Sequence, residues 1–389
     1  MDARGSSRLH QAAGAKHHPG RQGTRKEVKG QRTVIEHLAQ LVACDTQNPP
    51  RLIAGDSAIF QYCNAAVGDR FQVRIWDHGD GHVSWFAVRG KPGILFNVHL
   101  DTVPFGSGWS SNPLELRIED GRAFGRGVCD IKGAAAALLA LAEQGAKNLA
   151  LLFTTDEEGA GGCCVERFLG TGEAGRFRQV VVAEPTLCTA VTAHRGFLSV
   201  KTRFQGVPGH SSEARALQDN ANHQMAEWAS AALDVARNST TSRQDPGTCM
   251  NIGVMNGGTK SNVIAGEAFV HWSARLQPGS SNEDFLSTIK SCAPQGANVS
   301  WEVPFAGEPL PAAGRDSTAA EQFCAQAGLP RGDAVDFWTE ASLFSATGLP
   351  ALVLGPGSIK QAHVTDEWLA LSQLDRAYDV YQNLVNADG

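Results

Sequence analysis

The sequence predicts an α/β protein: a mixed-sheet α/β/α domain interrupted by a smaller α+β, ferredoxin-like domain. Three observations carry this. Short apolar runs alternate with helical patterning, and the middle of the chain changes to a two-residue alternation. At 389 residues, the chain is also longer than one compact core usually holds.

Taken in order, residues 1–30 are rich in Gly, Arg, Lys and His and contain no apolar run, so they read as a disordered basic extension. They lack the apolar centre of a secretory signal, and His10, His17 and His18, lying in a segment read as disordered, are poor metal candidates despite their clustering. From Gln31 the texture turns globular. Val34, Ile35, Leu38, Leu41 and Val42 recur at helical spacing until DTQNPP (45–50) breaks the helix. ILFNVH (94–99), LALLFTT (149–155), VVVAE (180–184) and ALVLG (351–355) read as buried parallel strands. Between the first two, IKGAAAALLALAEQ (131–144) reads as a helix with Asp130 at its N-cap. This domain spans 31–190 and resumes over 301–389, where a further helix is expected at 317–327. Residues 191–300 differ. AHRGFLSVKTRFQGVPGHSS begins with an alternating strand, and ANHQMAEWASAALDVAR (221–237) is an amphipathic helix. TCMNIGVMNGG and EAFVHWSARLQPG read as two more strands, and FLSTIKSCA as a second helix. Strand, helix, strand, strand, helix is the order of an inserted α+β sandwich.

Composition excludes several functions. The chain is 42% hydrophobic and 19% charged, with a formal net charge of -6. That mild acidity argues against a nucleic-acid partner, which needs a basic stripe to displace counterions. No apolar stretch approaches the ~20 residues needed to cross a bilayer, so no membrane partner is expected. Nine cysteines, an odd number without a CxxC pair, sit mostly in apolar runs. They read as small buried residues of a reducing, cytoplasmic protein, not as a disulfide framework.

The chemistry lies at the strand ends. ILFNVH ends in His99, with Asp101 two residues on; LALLFTT leads into Asp156, Glu157 and Glu158; VVVAE ends in Glu184; ALVLG leads to His363. In an open α/β sheet, sites form in the crevice outside the carboxyl ends of the strands. Singly, each has an ordinary explanation: a helix cap, a core histidine, a solvated acid. Jointly those explanations fail, because buried like charges at one sheet edge repel unless a cation neutralises them. Two histidines, His99 and His363, with three carboxylates, Asp130, Glu184 and one of Glu157 and Glu158, suit a pair of Zn²⁺ ions bridged by one carboxylate. Such a pair polarises a carbonyl and lowers the pKa of a shared water. Of the adjacent Glu157 and Glu158, one can bind metal while the other faces the water, and Asp101 fits a carboxylate that orients a ligating imidazole.

These residues resemble the zinc-dependent family of aminoacylases, acetylornithine deacetylases and succinyl-diaminopimelate desuccinylases, over roughly residues 32–389. The marks are DTQNPP (45–50), HLDTVP (99–104), GRGVCDIKGAAAA (125–137), TDEEGAGG (155–162), AEPT (183–186), GHSS (209–212), GGTKSNVIA (257–265), TEA (339–341) and LGPGSIKQAHVTDEW (354–368). The resemblance implies that His99, Asp130 and Glu184 hold one zinc and that Asp130, Glu158 and His363 hold the other. The resemblance also implies that Co²⁺ can substitute. It makes Glu157 the base and implies a cis peptide after the bridging aspartate, here Asp130–Ile131. It also makes the inserted domain a lid that dimerises, with His210 polarising the scissile carbonyl, often across the dimer. Asn262 and Arg275 match positions that contact substrate, Arg275 suiting an α-carboxylate. Glu340, in TEA, is the candidate for reading the substrate's side chain.

Within the family, LGPGSIKQAH and TEA resemble the acetylornithine deacetylases of arginine biosynthesis. AVDFWTEASLFSATG (334–348), with NVHLDTVP and GVCDIKGAAAALLA, resembles an offshoot that acts on N-acetylcitrulline. The expected activity is therefore deacetylation of N-acetyl-L-ornithine or N-acetyl-L-citrulline by a homodimer. A desuccinylase or a dipeptidase or carboxypeptidase would share all five ligands. A non-catalytic binding homologue would lack a ligand or Glu157, and none is missing.

Overall fold

In the computed structural model, which describes residues 33–50, 52–159, 163–239 and 247–388, the larger domain is built on a six-stranded mixed sheet. The basic segment expected at 1–30 lies outside the described residues. Before the insertion come β1 (Gln72–Asp77), β2 (Val83–Arg89), β3 (Ile94–His99), β4 (Leu149–Thr154) and β5 (Gln179–Pro185). The insertion contributes β6 (Phe197–Gln205), β7 (Cys249–Gly257), β8 (Glu267–Arg275) and β9 (Asn298–Gly307), and β10 (Ala351–Gly355) returns to the larger sheet. The helices are α1 (Val34–Val42), α2 (Ala58–Val67), α3 (Gly133–Glu143), α4 (Cys164–Gly170), α5 (Ala221–Asn238), α6 (Asn282–Ser291), α7 (Thr318–Gln326), α8 (Ala341–Ala346) and α9 (Leu371–Ala387).

The larger sheet has the order β1-β2-β4-β3-β5-β10. The four apolar runs are its four parallel strands, and every residue of β3, β4, β5 and β10 is buried. Strands covered on both faces have no polar side to show, which is why they read as unbroken apolar runs. One face packs on α1, α2, α3 and α9, the other on α4 and α8. The antiparallel edge, β1 and β2, makes the sheet mixed.

Asp130 is not the N-cap of α3. Residues Val128–Lys132 form a separate wide turn in which Asp130 has φ -125° and ψ 86°, the Asp130–Ile131 peptide is cis, and α3 begins only at Gly133. The aspartate is thereby aimed at the strand ends, away from the N–H groups of its own helix.

The insertion is a four-stranded antiparallel sheet of order β7-β8-β6-β9, with α5 and α6 packed on one face around Trp228, Trp272 and Phe204. Its βαββαβ order is ferredoxin-like. The fourth strand, β9, runs to Gly307, so the inserted sheet extends past the limit near 300 drawn from sequence.

The two crossings between the domains lie side by side. His194 N–H donates to the Leu310 carbonyl at 2.9 Å, and Leu310 N–H donates back at 3.0 Å. The His194 ring is fully buried, with Nδ1 donating to the Arg195 carbonyl at 2.9 Å, and burial pushes its pKa down to about 4. An unfolded histidine titrates near 6.5, so the unfolded chain takes up a proton here before the folded one does. Stability should therefore be full above pH 6.5 and fall as the pH drops towards 4, by about 3 kcal/mol for this residue alone. Urea unfolding across that range, compared with His194→Asn, checks it: the variant should show the shallower dependence.

Candidate active site

Because β3, β4 and β5 are parallel neighbours, their carboxyl ends deliver side chains to one edge. His99 is the last residue of β3, Glu157 and Glu158 follow β4, and Glu184 lies at the end of β5. The Val128–Lys132 turn brings Asp130 in from the side, and the loop after β10 supplies His363 at φ 59°.

Asp130 sits between the two histidines. Its Oδ1 is 3.3 Å from His99 Nε2 and its Oδ2 is 2.9 Å from His363 Nε2. Glu184 Oε1 lies 3.4 Å from His99 Nε2, and Glu158 lies 3.1 Å from His363 Nε2. The ligand atoms of His99, Asp130 and Glu184 fall within 4.8 Å of one another, as do those of Asp130, Glu158 and His363. These are the two predicted sets, sharing Asp130.

The electrostatics require a cation. His99 Nδ1 donates to the Asp101 carbonyl at 2.9 Å, so a neutral His99 turns the lone pair of Nε2 towards two carboxylates. Only a second proton or a metal ion satisfies that arrangement. Burial alone would lower the His99 pKa, yet Glu184, Asp101 and Asp130 drive it well above the ordinary value. Bonds to Asp130 and Glu158 raise His363 to about 11. Burial raises Glu157 far above the carboxylate range, Glu158 to about 7, and Glu184 as well. Burial would raise Asp130 too, but its bonds to His363 and His99 hold it low. Glu184 Oε1 is buried without a hydrogen-bond partner. Imidazole nitrogens and carboxylates, one oxygen of them orphaned, fit a pair of divalent ions.

Asp101 works mainly through its neighbours. Its Oδ2 accepts from Asn48 Nδ2 at 2.8 Å and from Glu158 N–H at 3.0 Å, and its Oδ1 accepts from Glu157 N–H at 3.4 Å. The carboxylate lies 3.6 Å from His99 Nδ1, farther than its own carbonyl, so it fixes the Glu157–Glu158 backbone more directly than the imidazole. Glu367, which sequence reasoning missed, does the same for Asp130. Buried against Arg126 at 2.9 Å, it accepts from the N–H groups of Gly127 (2.9 Å), Cys129 (2.8 Å) and Asp130 (3.1 Å). Its signal was the acid in VTDEW just after His363.

Above the cluster lies a cleft of about 450 Å³ lined by Asp130, Glu157, Glu158, Glu184 and His363 below and by the inserted sheet above. Arg275 lines it, its guanidinium 3.9 Å from the Phe197 ring centroid. Ser199 and His271 line it as well, and neither stood out from the sequence. Their signal was the two-residue alternation of β6 and β8, which puts Phe197 and Ser199, and His271 and Arg275, on the face opposite the buried Leu198, Val200 and Trp272.

Three predicted residues lie elsewhere. His210 and Asn262 are exposed; His210 pairs with Val263 in a short two-stranded ladder, beside which Ser211 N–H donates to the Asn262 carbonyl at 3.2 Å. Neither lines the cleft of its own subunit. Glu340 is buried, bound to Asn97 Nδ2 and to Thr154 Oγ1, and borders a separate recess of about 150 Å³ beside Glu157. Burial raises it to about 8.

The chain has relatives among known proteins. The chain is 44% identical over 361 residues to an N-acetyl-L-citrulline deacetylase of Xanthomonas campestris pv. campestris, covering 91% of this chain and 98% of that one. It is 31% identical to an acetylornithine deacetylase of Myxococcus xanthus, covering 90% and 95%. The fold matches an M20 metallo-carboxypeptidase of Sulfolobus solfataricus with a TM-score of 0.65 at 14% identity, over 91% and 99% of the two chains. Residues 95–387 match the family described as Peptidase family M20/M25/M40, and the chain belongs to that family.

Proposed function

We propose that this protein is a zinc-dependent deacetylase of an N-acetylated amino acid in arginine biosynthesis, with N-acetyl-L-citrulline preferred to N-acetyl-L-ornithine. The single observation that carries the chemistry is Asp130, with one oxygen turned to each histidine and a further carboxylate completing each set. The 44% identity to the N-acetyl-L-citrulline deacetylase supports the substrate.

In this reading His99, Asp130 and Glu184 hold one Zn²⁺ and Asp130, Glu158 and His363 the other, with Co²⁺ able to substitute. When bound, such ions supply Lewis acidity to the scissile carbonyl and lower the pKa of a nearby water. The residues do the rest. Glu157 faces the cleft but belongs to neither ligand set, so its carboxylate is free to take a proton from the attacking water. It passes that proton to the nitrogen as the C–N bond breaks, releasing acetate and the free amine. Arg275, stacked on Phe197, offers a fixed fork to the substrate's α-carboxylate.

His210 is assigned to the neighbouring active site of a homodimer joined through the inserted domain, where Asn262 supports it. The exposed edge strand β7, with Val254 and Met255 on its surface, supports such pairing. Mixing His210→Ala and Glu157→Gln subunits tests this. Each is impaired alone, but a mixed dimer pairs an intact Glu157 with an intact His210 at one of its two sites. Activity should return on mixing; absence of recovery in confirmed mixed dimers would place His210 outside the partner's site.

No described helix is long and apolar enough to cross a membrane, and the reading places the enzyme in the cytoplasm. The activity is tested by comparing kcat/KM for N-acetylcitrulline, N-acetylornithine, a succinylated diamino acid and dipeptides. N-acetylcitrulline should lead. Preference for dipeptides would move the protein to the peptidase branch.

A further inference from the structure

The cleft's carboxylates are Asp130, Glu157, Glu158 and Glu184, and all four are committed to metal or to proton transfer. Apart from His363 of the proposed metal set, its other charged or hydroxyl-bearing side chains come from the inserted sheet and are Arg275, Ser199 and His271. Ser199 Oγ and His271 Nε2 are 3.0 Å apart and bonded to each other. Both are half-buried on the sheet face opposite Val200 and Trp272. His271 and Arg275 share a face of β8 four residues apart, roughly 13 Å at the usual strand rise. The Ser199–His271 pair thus lies along the roof from Arg275, in the same cleft.

A hydroxyl bonded to an imidazole offers both a donor and an acceptor but no negative charge. An alkylammonium brought here would lose water without gaining a counter-charge, which is costly in a half-closed cleft. A ureido group, neutral and able both to donate and to accept, loses nothing comparable. The recess next door does hold acids, but Glu157 is the proposed base, Glu166 is an exposed residue at its border, and the two buried ones are occupied. Asp156 accepts from His82 Nδ1 at 2.9 Å and from Cys163 and Cys164 N–H at 2.6 and 2.9 Å. Glu340 is taken up by Asn97 and Thr154.

We infer that the Ser199–His271 pair is the specificity-determining contact for the substrate's side chain, selecting a neutral hydrogen-bonding group such as a ureido over an ammonium. The inference rests on the deacetylase reading and replaces Glu340 in the role of side-chain reader.

The test measures kcat/KM on metal-loaded dimers for N-acetylcitrulline, N-acetylornithine and N-acetylnorleucine, whose side chain has no polar group. In Ser199→Ala and His271→Ala, the ratio of N-acetylcitrulline to N-acetylnorleucine should fall about 10–100-fold, the range for losing a hydrogen bond to a substrate's polar group. Ser199→Asp supplies the missing counter-charge and should move the ratio of N-acetylornithine to N-acetylcitrulline up by ~10-fold or more. Parallel loss on all three substrates, or unchanged ratios in all variants, would overturn the inference. Wild-type protein that hydrolyses none of the three would instead refute the deacetylase reading on which it rests.

Discussion

Glu157→Gln should lower kcat by about 10²–10⁴-fold while leaving the metal content and the fold intact. Glutamine matches glutamate in size and hydrogen-bonds at the same positions, but its amide cannot take a proton from water. The residue lies outside the two sets that share Asp130, although its carboxylate also falls within 4.8 Å of ligand atoms of His99 and Glu158, and its backbone is held independently by Asp101 Oδ1. Substrate affinity should therefore change little, and the loss should fall on kcat more than on KM. Steady-state kinetics alongside metal analysis of the same preparation checks both halves. Near-normal turnover would remove Glu157 from the proton path, and loss of metal would make it a ligand.

Asp130→Ala should be more damaging still, and in a different way. Its two oxygens address the two histidines, so removing it opens both ligand sets at once. Metal content should fall from two ions per chain towards none and deacetylation below detection, whereas Glu184→Ala, outside the second set, should spare part of the metal. The deletion also leaves His99 and His363 without the carboxylate they share. Breaking a buried charge pair costs about 3–5 kcal/mol. A lower Tm should thus accompany the loss of metal. Full metal retention in Asp130→Ala would contradict the bridging role.

The sequence was legible where one physical constraint acted alone. The four parallel strands were readable because burial on both faces leaves only apolar residues, and their polar last residues stood out against that background. The helix start at Asp130 misled, since an aspartate before an alanine run is what a cap looks like; the wide turn Val128–Lys132 is set by Glu367, some 237 residues away. The strand β9 was missed because NVSWEVPFAG keeps only one face against α5 and α6 and has a proline within it. Ser199 and His271 were invisible for a related reason. Their alternation marks a half-exposed strand, and only the tertiary arrangement shows that the exposed face roofs a cleft. Glu340 was the sequence's candidate for reading the substrate's side chain, and the structure bonds it to Asn97 and Thr154.

The most direct measurement is a metal titration of chelated protein, following hydrolysis of N-acetylcitrulline as Zn²⁺ is added back. Two ligand sets sharing Asp130 predict no activity at the start and a rise that saturates at two equivalents per chain. Deacetylation that persists after complete metal removal, or that saturates with no zinc bound, would contradict a metal-dependent deacetylase built on these five residues.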